Sequence, residues 1–530
     1  MTRMTAAVAA LVLTGAIGVP AQADPVDPAI PTSSTIPTGT AVPTGQIDPT
    51  TTTNQPSPLD STPPANPTTA TTPAISTTPG STTTGPAPLG PTTTTGPTTP
   101  TSPTTTPTTT NTTTLTSPTV PSSPTSPSSP TSPTTPPSPT TSTGPTRPQG
   151  APGKAQSFWL HMDSSPVSDA EITLHAKKLA YVVLNAWEGD LSAKFKKANP
   201  AIKVFVYKDL SSTRSYACRN GVDDKQVPTG VGYCEAKSHP EWFLTDTRGK
   251  RFEYSGYSGH WQMDVGNPEY RKRWGDNVIA SARAGGFDGV LMDNALFGCQ
   301  TYHEGRCPKA YPTDATFQAA YRGMFETLHP RFAAAGILTI ANLANARLYP
   351  GVWDAYTEHL DGGFDEWWVA FSGTDLLPEG ADGWARQAEQ IASNEARGKI
   401  TWVQPHLSPS DIRAFRYAFA SYFLVQGGKS AIAETVGTDN YGGPAPQRPE
   451  YAWDLGKPTG PYRTVGKNLL RRDFTCGAVV VNTNRTGASL LKVDLGRAYA
   501  DEQGSSVLSV SLGGTSGSVL RKPCSAKSGQ

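Results

Sequence analysis

The sequence predicts an α/β protein: a (β/α)8 TIM barrel with a small C-terminal antiparallel β domain, preceded by a disordered stalk. Three observations support this fold class. Short apolar runs alternate eight times with helical segments between Ser157 and Glu434, as βα units do in a parallel barrel. Many of these runs end in polar residues, as strands do at a barrel mouth. After Tyr441, short β-type runs lie between turn residues without intervening helices.

The first element, residues 1–23, resembles a secretory signal peptide. Arg3 supplies the positive charge, Ala6 to Val19 form the apolar core, and Ala21-Gln22-Ala23 is a small-x-small cleavage site. The apolar run is short and is followed by Pro20, which argues against a membrane span. An uncleaved anchor is the alternative. We expect a secreted, extracellular protein without a transmembrane segment.

Residues 24–152 consist almost entirely of Thr, Pro, Ser, Gly and Ala and cannot build an apolar core. Pro and Thr favour an extended, semi-rigid chain. We therefore expect a disordered stalk that holds the folded part away from a surface such as a cell wall. A spacer without a partner is the alternative.

Charge and cysteine content limit the function classes. The chain has 44 Lys and Arg against 43 Asp and Glu and no basic tract, so nothing predicts binding to nucleic acid. The 6 cysteines follow the stalk, which predicts disulfides in an exported protein, with sequential pairing as the simplest connectivity. No Cys–His spacing indicates zinc, and we expect no metal and no cofactor. The cysteines are Cys218, Cys234, Cys299, Cys307, Cys476 and Cys524.

The barrel is predicted over residues 153–440. A doubly wound open sheet is the competing fold, but no glycine-rich phosphate loop supports it. A long excursion separates the third and fourth strands. The predicted strands are Phe158–Asp163, Tyr181–Glu188, Ile202–Asp209, Phe287–Asp293, Ile337–Asn345, Gly363–Val369, Ile400–His406 and Ser430–Glu434.

Helix signals separate these strands. Ser168 is a predicted N-cap, Asn267-Pro268 combines a cap with a proline in the first turn, and Gly427-Gly428 ends the last barrel helix. Residues 441–530 are predicted to form the β domain. Its predicted strands are Phe474–Asn482, Leu490–Leu495 and Val507–Leu512.

Two carboxyl groups at the mouth are the candidate catalytic residues. Hydrolysis of a glycosidic bond requires a pair of them, one on each side of the bond. Asp293 on the fourth strand and Glu366 on the sixth are the best-placed pair, with a helix cap and an ion pair as their structural alternatives. The apolar Trp367-Trp368 beside Glu366 favours its protonated form, as a general acid requires. Asp365 is the alternative to Glu366, because adjacent strand residues face opposite sides.

Aromatic and polar residues near the same strand ends suggest a carbohydrate site, because sugar rings have apolar faces and hydroxyl edges. Core packing is the alternative for the tryptophans. Asp264 is a third acid candidate, with backbone capping as its alternative role. The predicted substrate-binding residues are Asp163, Trp187, Lys208, Asp264, Asn294, Asn342, Trp367, Gln404 and Glu434.

Three motifs carry a resemblance to known proteins. Phe287 to Asn294, His239 to Phe243 and Met263 to Arg271 resemble glycoside-hydrolase-like (β/α)8 families. These families are related to endo-α-1,4-polygalactosaminidases and, more distantly, to α-galactosidase-type barrels. The resemblance covers roughly Ser157 to Leu520. It implies catalysis by the acids of strands four and six, which are Asp293 and Glu366 here.

These features predict a secreted glycoside hydrolase that acts on a polysaccharide. The alternative is a non-catalytic glycan-binding barrel displayed on the stalk, or more generally an adhesive head. A phosphodiesterase is a further rival. Such barrels usually rely on paired histidines, and only His161 and His406 are well placed for that chemistry.

Overall fold

The structure is a computed structural model that describes residues 150–436, 441–446 and 448–524. The predicted signal peptide and nearly all of the predicted stalk lie outside the described residues. Within the described ranges, no helix is long and apolar enough to cross a bilayer.

Eight parallel strands form one sheet in which each strand pairs with its neighbours in chain order. The N–H of Ile432 donates to the carbonyl of Gln156 at 3.0 Å, which brings the last strand to the chain just before the first and nearly closes the barrel. The predicted barrel is confirmed. Its strands are β1 Phe158–Leu160, β2 Tyr181–Leu184, β3 Lys203–Asp209, β4 Gly289–Asp293, β5 Leu338–Asn342, β6 Gly362–Asp365, β7 Ile400–Val403 and β8 Ser430–Ile432.

Helices cover the outside of the barrel and begin at the predicted caps. The Ser168 hydroxyl accepts the N–H of Glu171 in a capping box. The Asn267 side chain accepts from two backbone N–H groups, with Pro268 in the first turn. The longer helices are α1 Asp169–His175, α2 Gly189–Ala198, α3 Pro268–Ala284, α4 Asp314–Ala334, α5 Val352–Thr357, α6 Trp384–Ala396 and α7 Ile412–Val425.

The barrel interior is filled by side chains, because alternate residues of each strand point inward. Trp402 of β7 lies at its centre, with ring centroids 5.4 Å from Phe158, 5.0 Å from Tyr181 and 4.9 Å from Phe205. This packing closes the interior to ligands. The mouth, where the strands end, is therefore the part of the barrel open to a ligand.

The excursion between β3 and α3 contains two small antiparallel ribbons. One pairs Ser212–Arg214 with His260–Gln262, and the other pairs Cys218–Arg219 with Val222–Asp223. Disulfides link neighbouring cysteines in sequence order. The pairs are Cys218–Cys234 in the excursion, Cys299–Cys307 in the loop after β4 and Cys476–Cys524 in the C-terminal sheet.

The C-terminal part forms a separate antiparallel sheet of β9 Arg463–Gly466, β10 Leu469–Phe474, β11 Gly477–Asn482, β12 Leu491–Ala500, β13 Ser506–Leu512 and β14 Ser516–Arg521. Their order across the sheet is β9-β10-β11-β14-β12-β13. It contains more strands than the three predicted. The segment Phe474–Asn482, predicted as one strand, contains the last residue of β10, a tight turn and the whole of β11.

Candidate active site

Strand alternation places three polar side chains together at the carboxyl-terminal mouth of the barrel. Leu291 belongs to the interior cluster, so Asp293, two residues further along β4, also faces inward. The same alternation brings Asn342 of β5 and Glu366, the first residue after β6, to the mouth.

The side chain of Asn342 connects the two carboxyl groups. Its Nδ2 donates to Asp293 Oδ1 at 3.0 Å and to Glu366 Oε2 at 2.7 Å. Because both oxygens accept from one nitrogen, they are no farther apart than the sum of these distances, 5.7 Å. The amide therefore sets the spacing of the pair.

Asp293 is held by further donors. The Tyr207 hydroxyl donates to Oδ2 at 2.6 Å, and the Asn294 N–H donates to Oδ1 at 2.8 Å. Burial, and then the charge of Asp209, raise the pKa of Asp293, while the hydrogen bonds oppose that rise. Burial, and then the charge of Asp293, raise the pKa of Tyr207, so its phenol stays protonated and remains a donor.

Asp209 lies fully buried behind this carboxyl group. Its Oδ1 accepts the N–H groups of Ser211 and Ser212 at 3.0 and 2.9 Å. Its Oδ2 accepts from the side chain of Asn294 at 3.0 Å. Asn294 has a φ of 58°, a left-handed conformation that asparagine tolerates. The predicted ligand-binding residue Asn294 thus supports Asp209.

Glu366 is fixed from three directions. The Tyr441 hydroxyl donates to Glu366 Oε1. The backbone carbonyl of Glu366 lies 2.6 Å from His406 Nε2. The His406 ring stacks on that of Trp367, with centroids 3.6 Å apart and planes 2° from parallel. The stack of Trp367 on His406 therefore packs beside the Glu366 backbone.

Three groups in β1 and just after it hold Tyr441 in place. The Met162 N–H donates to the Tyr441 carbonyl at 3.1 Å. The Trp159 indole donates to the Gly442 carbonyl at 3.0 Å, and His161 Nδ1 lies 3.1 Å from the same oxygen. This segment therefore holds the tyrosine over the strand-six acid.

Asp365 points away from the mouth. It is fully buried and accepts from Gln387 Nε2 of α6 at 2.9 Å and from the Trp367 N–H at 3.1 Å. Burial raises the pKa of Asp365 to about 7. Of the two neighbouring acids, Glu366 faces the mouth and Asp365 ties β6 to α6.

The structure does not bring Lys208 or Glu434 to the pair. Lys208 alternates with the inward-facing Tyr207, and its ammonium donates to the Val227 carbonyl at 2.7 Å. Burial lowers the pKa of Lys208 to about 8. Glu434 is buried in a two-bond ion pair with Arg448, at 2.6 and 2.9 Å. Both residues have structural contacts in place of the predicted binding role.

The remaining predicted residues lie at varied depths. Asp264 accepts the N–H of Gly266 at 2.8 Å just before α3, as its alternative capping role predicts. Gln404 is buried beyond Trp402 on β7. Asp163 and Trp187 are exposed on the rim after β1 and β2. None of the contacts described for these residues joins the two carboxyl groups as the Asn342 amide does.

Asp209 and Tyr441 are among the polar and aromatic residues that the sequence places near the strand ends, but their contacts with the acids are not predicted, and Tyr207 is not among the predicted site residues. Tyr207 faces inward because Phe205, two residues earlier, lies in the interior cluster, whereas alternation alone does not assign the inward side. The contact of Tyr441 with Glu366 spans 75 residues and depends on how the chain returns to β1. No local pattern contains that information.

An eight-stranded parallel barrel with a bridged pair of carboxyl groups at its mouth is the arrangement of barrel glycoside hydrolases. Residues 196–478 match the model described as hypothetical glycosyl hydrolase family 15, GHL15. The chain belongs to this family. No curated protein sequence matches it significantly.

Solved structures of low sequence identity are similar to parts of the chain. The glycoside hydrolase domain of PelA from Pseudomonas aeruginosa is 16% identical, covering 55% of this chain and 96% of that one, with a TM-score of 0.35. Aspergillus fumigatus Ega3, solved in complex with galactosamine, is 11% identical, covering 54% and 93%, with a TM-score of 0.33. The amylase AmyB from Thermotoga neapolitana is 11% identical, covering 69% and 96%, with a TM-score of 0.41. The family assignment rests on the sequence match.

Proposed function

We propose that the protein is a secreted glycoside hydrolase that cleaves a polysaccharide with retention of anomeric configuration. Asp293 is the nucleophile, and Glu366 is the general acid and base. The shared Asn342 amide carries this proposal, because it limits the separation of two carboxylate oxygens to 5.7 Å. Carboxyl groups lie about 5–5.5 Å apart in retaining glycosidases and about 6.5–9.5 Å apart in inverting ones.

The reaction has two displacement steps. In the first, Glu366 donates a proton to the glycosidic oxygen as its bond to the anomeric carbon breaks, and an Asp293 oxygen bonds to that carbon. In the second, the Glu366 carboxylate accepts a proton from water, the water oxygen bonds to the anomeric carbon, and the ester bond to Asp293 breaks. Both side chains return to their initial protonation states.

The contacts of the two acids support this division of roles. Asp293 accepts from Tyr207, Asn294 and Asn342, and such donors stabilise a carboxylate. Glu366 lies beside the apolar stack of Trp367 on His406, an environment that suits an acid held protonated. Glu366 also accepts from Asn342 and Tyr441, so we base the division of roles on the apolar stack beside it.

The export proposal rests on the sequence and on the disulfides. The three disulfides in the described residues suit an oxidising compartment. The predicted signal peptide supplies the route, and the predicted stalk then separates the barrel from the surface. From the sequence pattern we also propose that residues 153–440 form the barrel domain and residues 441–530 the β domain.

The test compares wild type with Asp293→Asn and Glu366→Gln on amylose, chitosan, xylan and α-1,4-polygalactosamine, with released reducing ends as the readout. We expect release by wild type and a loss of about 10³-fold or more in each variant, because each removes an essential group. Asp365→Asn is the matched control. At pH 5 to 6 the native carboxyl of Asp365 is largely neutral, since its pKa is about 7, so this variant should retain activity.

Other outcomes reassign the roles or reject the proposal. Activity that survives Glu366→Gln and disappears in Asp365→Asn would move the second role to Asp365. Binding without release by any of the proteins would favour the non-catalytic barrel. NMR of the first-formed product tests the stereochemistry, and an inverted anomer would rule out the covalent intermediate.

A further inference from the structure

Four aromatic rings form a continuous row on the excursion and on the loop after β4. The ring centroids of Tyr216 and His260 are 5.6 Å apart, those of His260 and Tyr257 are 5.7 Å apart, and those of Tyr257 and Tyr302 are 6.0 Å apart. Tyr216 and Tyr257 are each 43% exposed. We call Tyr216, His260, Tyr257 and Tyr302 the aromatic row.

One end of the aromatic row is connected through Tyr254 and Ser211 to the residue that follows the proposed nucleophile. Tyr302 packs against Tyr254, with centroids 5.1 Å apart. The Tyr254 hydroxyl lies 2.7 Å from Ser211 Oγ, which donates to the Asn294 carbonyl at 2.9 Å. Asn294 directly follows the strand-four carboxylate, so the row leads outward from the mouth.

Electrostatics agree with this placement of Tyr302. Burial, followed by the charges of Tyr257, Asp293 and Glu366, raises the pKa of Tyr302. The phenol is therefore within electrostatic reach of both acids. It stays protonated and is able to donate a hydrogen bond to a ligand.

The backbone holds Tyr302 in a strained conformation. Its φ of 59° is in the left-handed region, which is unfavourable for a bulky residue. The Tyr302 carbonyl accepts from the N–H and hydroxyl of Ser255 at 3.0 and 3.2 Å. The disulfide Cys299–Cys307 closes the same loop. Such imposed strain is typical of functional sites.

Tyr216 is fixed at the other end of the row. Its hydroxyl lies 2.9 Å from His260 Nε2. The ring covers Gly259, where an added Cβ would lie 2.9 Å from Tyr216 Cδ1. The disulfide Cys218–Cys234 begins two residues later. An exposed ring is thus held rigidly, which reduces the entropy lost on binding.

The imidazole of His260 is uncharged over the neutral pH range. Burial, and then the charge of Arg214, lower the pKa of His260 to about 4. Tyrosine and neutral imidazole combine apolar faces with polar edges. This matches pyranose rings, which expose C–H faces and hydroxyl edges.

We propose that the aromatic row is a series of glycan subsites that bind sugar units beyond the bond being cleaved, so that the enzyme acts within long chains. The inference rests on the proposed function, because it gives that active site an extended polymer as its substrate. A sugar chain leaving the mouth past Tyr302 would next meet Tyr257, His260 and Tyr216. Binding of several sugar units to these rigid rings favours cleavage of bonds inside the chain over cleavage at its end.

The experiment measures binding in an Asp293→Asn background, so that turnover does not consume the ligand. The probes are amylose, chitosan, xylan and α-1,4-polygalactosamine, each as the polymer and as its disaccharide. For a polymer that binds, Tyr216→Ala and Tyr257→Ala should each raise Kd about tenfold, equivalent to ~1.4 kcal/mol. Disaccharide binding at the mouth should change less than about twofold.

Two further variants separate stacking from loss of structure. Tyr257→Phe keeps the aromatic face and should retain polymer affinity. Tyr462→Ala removes a tyrosine of similar exposure, 39%, which packs on Trp384 of α6, and should leave Kd unchanged.

The outcomes separate this inference from the proposed function. Unchanged polymer affinity in both aromatic-row variants, equal losses for polymer and disaccharide, or no binding of any probe would overturn the inference. Tight, row-dependent binding by a wild-type protein that releases no reducing ends would reject the hydrolase proposal while retaining the subsites. In an active wild type, a rapid fall in polymer viscosity per bond cleaved is the expected sign of chain-interior action, and release of only terminal units would contradict it.

Discussion

Among single residues, Asp209 has the clearest effect on the proposed nucleophile. It is fully buried, and its charge is second only to burial among the causes that raise the pKa of Asp293. Asp209 is connected to Asp293 through Asn294, whose side chain donates to one acid and whose N–H donates to the other. Asp209 is therefore a positioning residue that controls charge.

Asp209→Asn should move the acidic limb of the kcat/KM profile to lower pH. Asp293 attacks as a carboxylate, so activity rises as the pH passes its pKa. Removal of a neighbouring negative charge lowers that pKa. The plateau rate should fall by less than about tenfold, because Asp209 does not touch the proposed reacting atoms. The measurement is kcat/KM against pH on a polymer that wild type cleaves, well below the variant's Tm.

Asp473→Asn is the control for this profile. Asp473 pairs with Arg463 and Arg471 in the C-terminal sheet, and its loss should leave the acidic limb in place. An Asp209→Asn limb that stays fixed or moves to higher pH would contradict the charge coupling.

The sequence predicted the carboxyl pair and Asn342 because each terminates an apolar strand. It misplaced Lys208 because alternation fixes only that Tyr207 and Lys208 face opposite sides. The position of Phe205 in the interior cluster identifies the inward side as that of Tyr207. The ion pair of Glu434 with Arg448 likewise depends on how the chain folds back after β8.

At the scale of elements, β6 and α6 are joined by a carboxyl group that favours its neutral form. Asp365 accepts from Gln387 Nε2 at 2.9 Å, and its buried position raises its pKa from 3.8 to about 7. Between these values the folded protein binds a proton that the unfolded chain releases. The stabilisation is complete below about pH 3.8 and is lost as the pH rises through about 7.

Asp365→Asn should weaken the pH dependence of stability. As the pH rises from 4 to 8, wild type loses free energy of unfolding that the variant, with no carboxyl group to ionise, does not lose. The Tm difference between the two proteins should shift by a few °C in favour of the variant. Calorimetry at pH 4, 5, 6, 7 and 8 measures this difference.

The exposed acid Glu358 provides the comparison, since its side chain is 72% exposed. Glu358→Gln should follow wild type across the whole pH range. Parallel Tm curves for wild type and Asp365→Asn would show that the buried carboxyl has no role in this dependence.

The elements of the barrel were more predictable than those of the C-terminal sheet. Parallel strands covered on both faces appear as apolar runs, and the helices between them carry local caps. β9 is mostly exposed, and β10 contains Arg471, Arg472 and Asp473. These charges are satisfied by each other, by the β12 backbone and by α7. β9 and β10 therefore form strands because of their tertiary contacts, and not because of an apolar pattern in the sequence.

Across the whole molecule, α7 is the element shared by the barrel and the C-terminal sheet. Nearly all of its residues are buried, and they belong to one apolar cluster with residues of β10, β11 and β14. Arg472 Nη1 of β10 donates to the carbonyls of Phe423 and Gln426 at 3.0 and 2.8 Å, which caps the end of the helix. We therefore expect the barrel and the sheet to unfold together.

Gly517→Leu tests this coupling at the closest approach of the two parts. A Cβ at Gly517 would lie 2.6 Å from Ala420 Cβ and 2.8 Å from the Arg416 carbonyl, so a larger side chain must push the sheet away from α7. Overpacking of this kind costs about 1–3 kcal/mol. Calorimetry should show one transition at a Tm lowered by several °C.

Gly460→Leu is the matched control, because a Cβ there meets nothing within 4 Å, and its Tm should equal that of wild type. A second, unshifted transition in Gly517→Leu would show that the barrel folds independently of the sheet. A single lowered transition would mean that α7 cannot remain buried against the barrel alone. Cutting the chain at the predicted boundary near residue 440 would then expose the apolar cluster, and the separated barrel would aggregate.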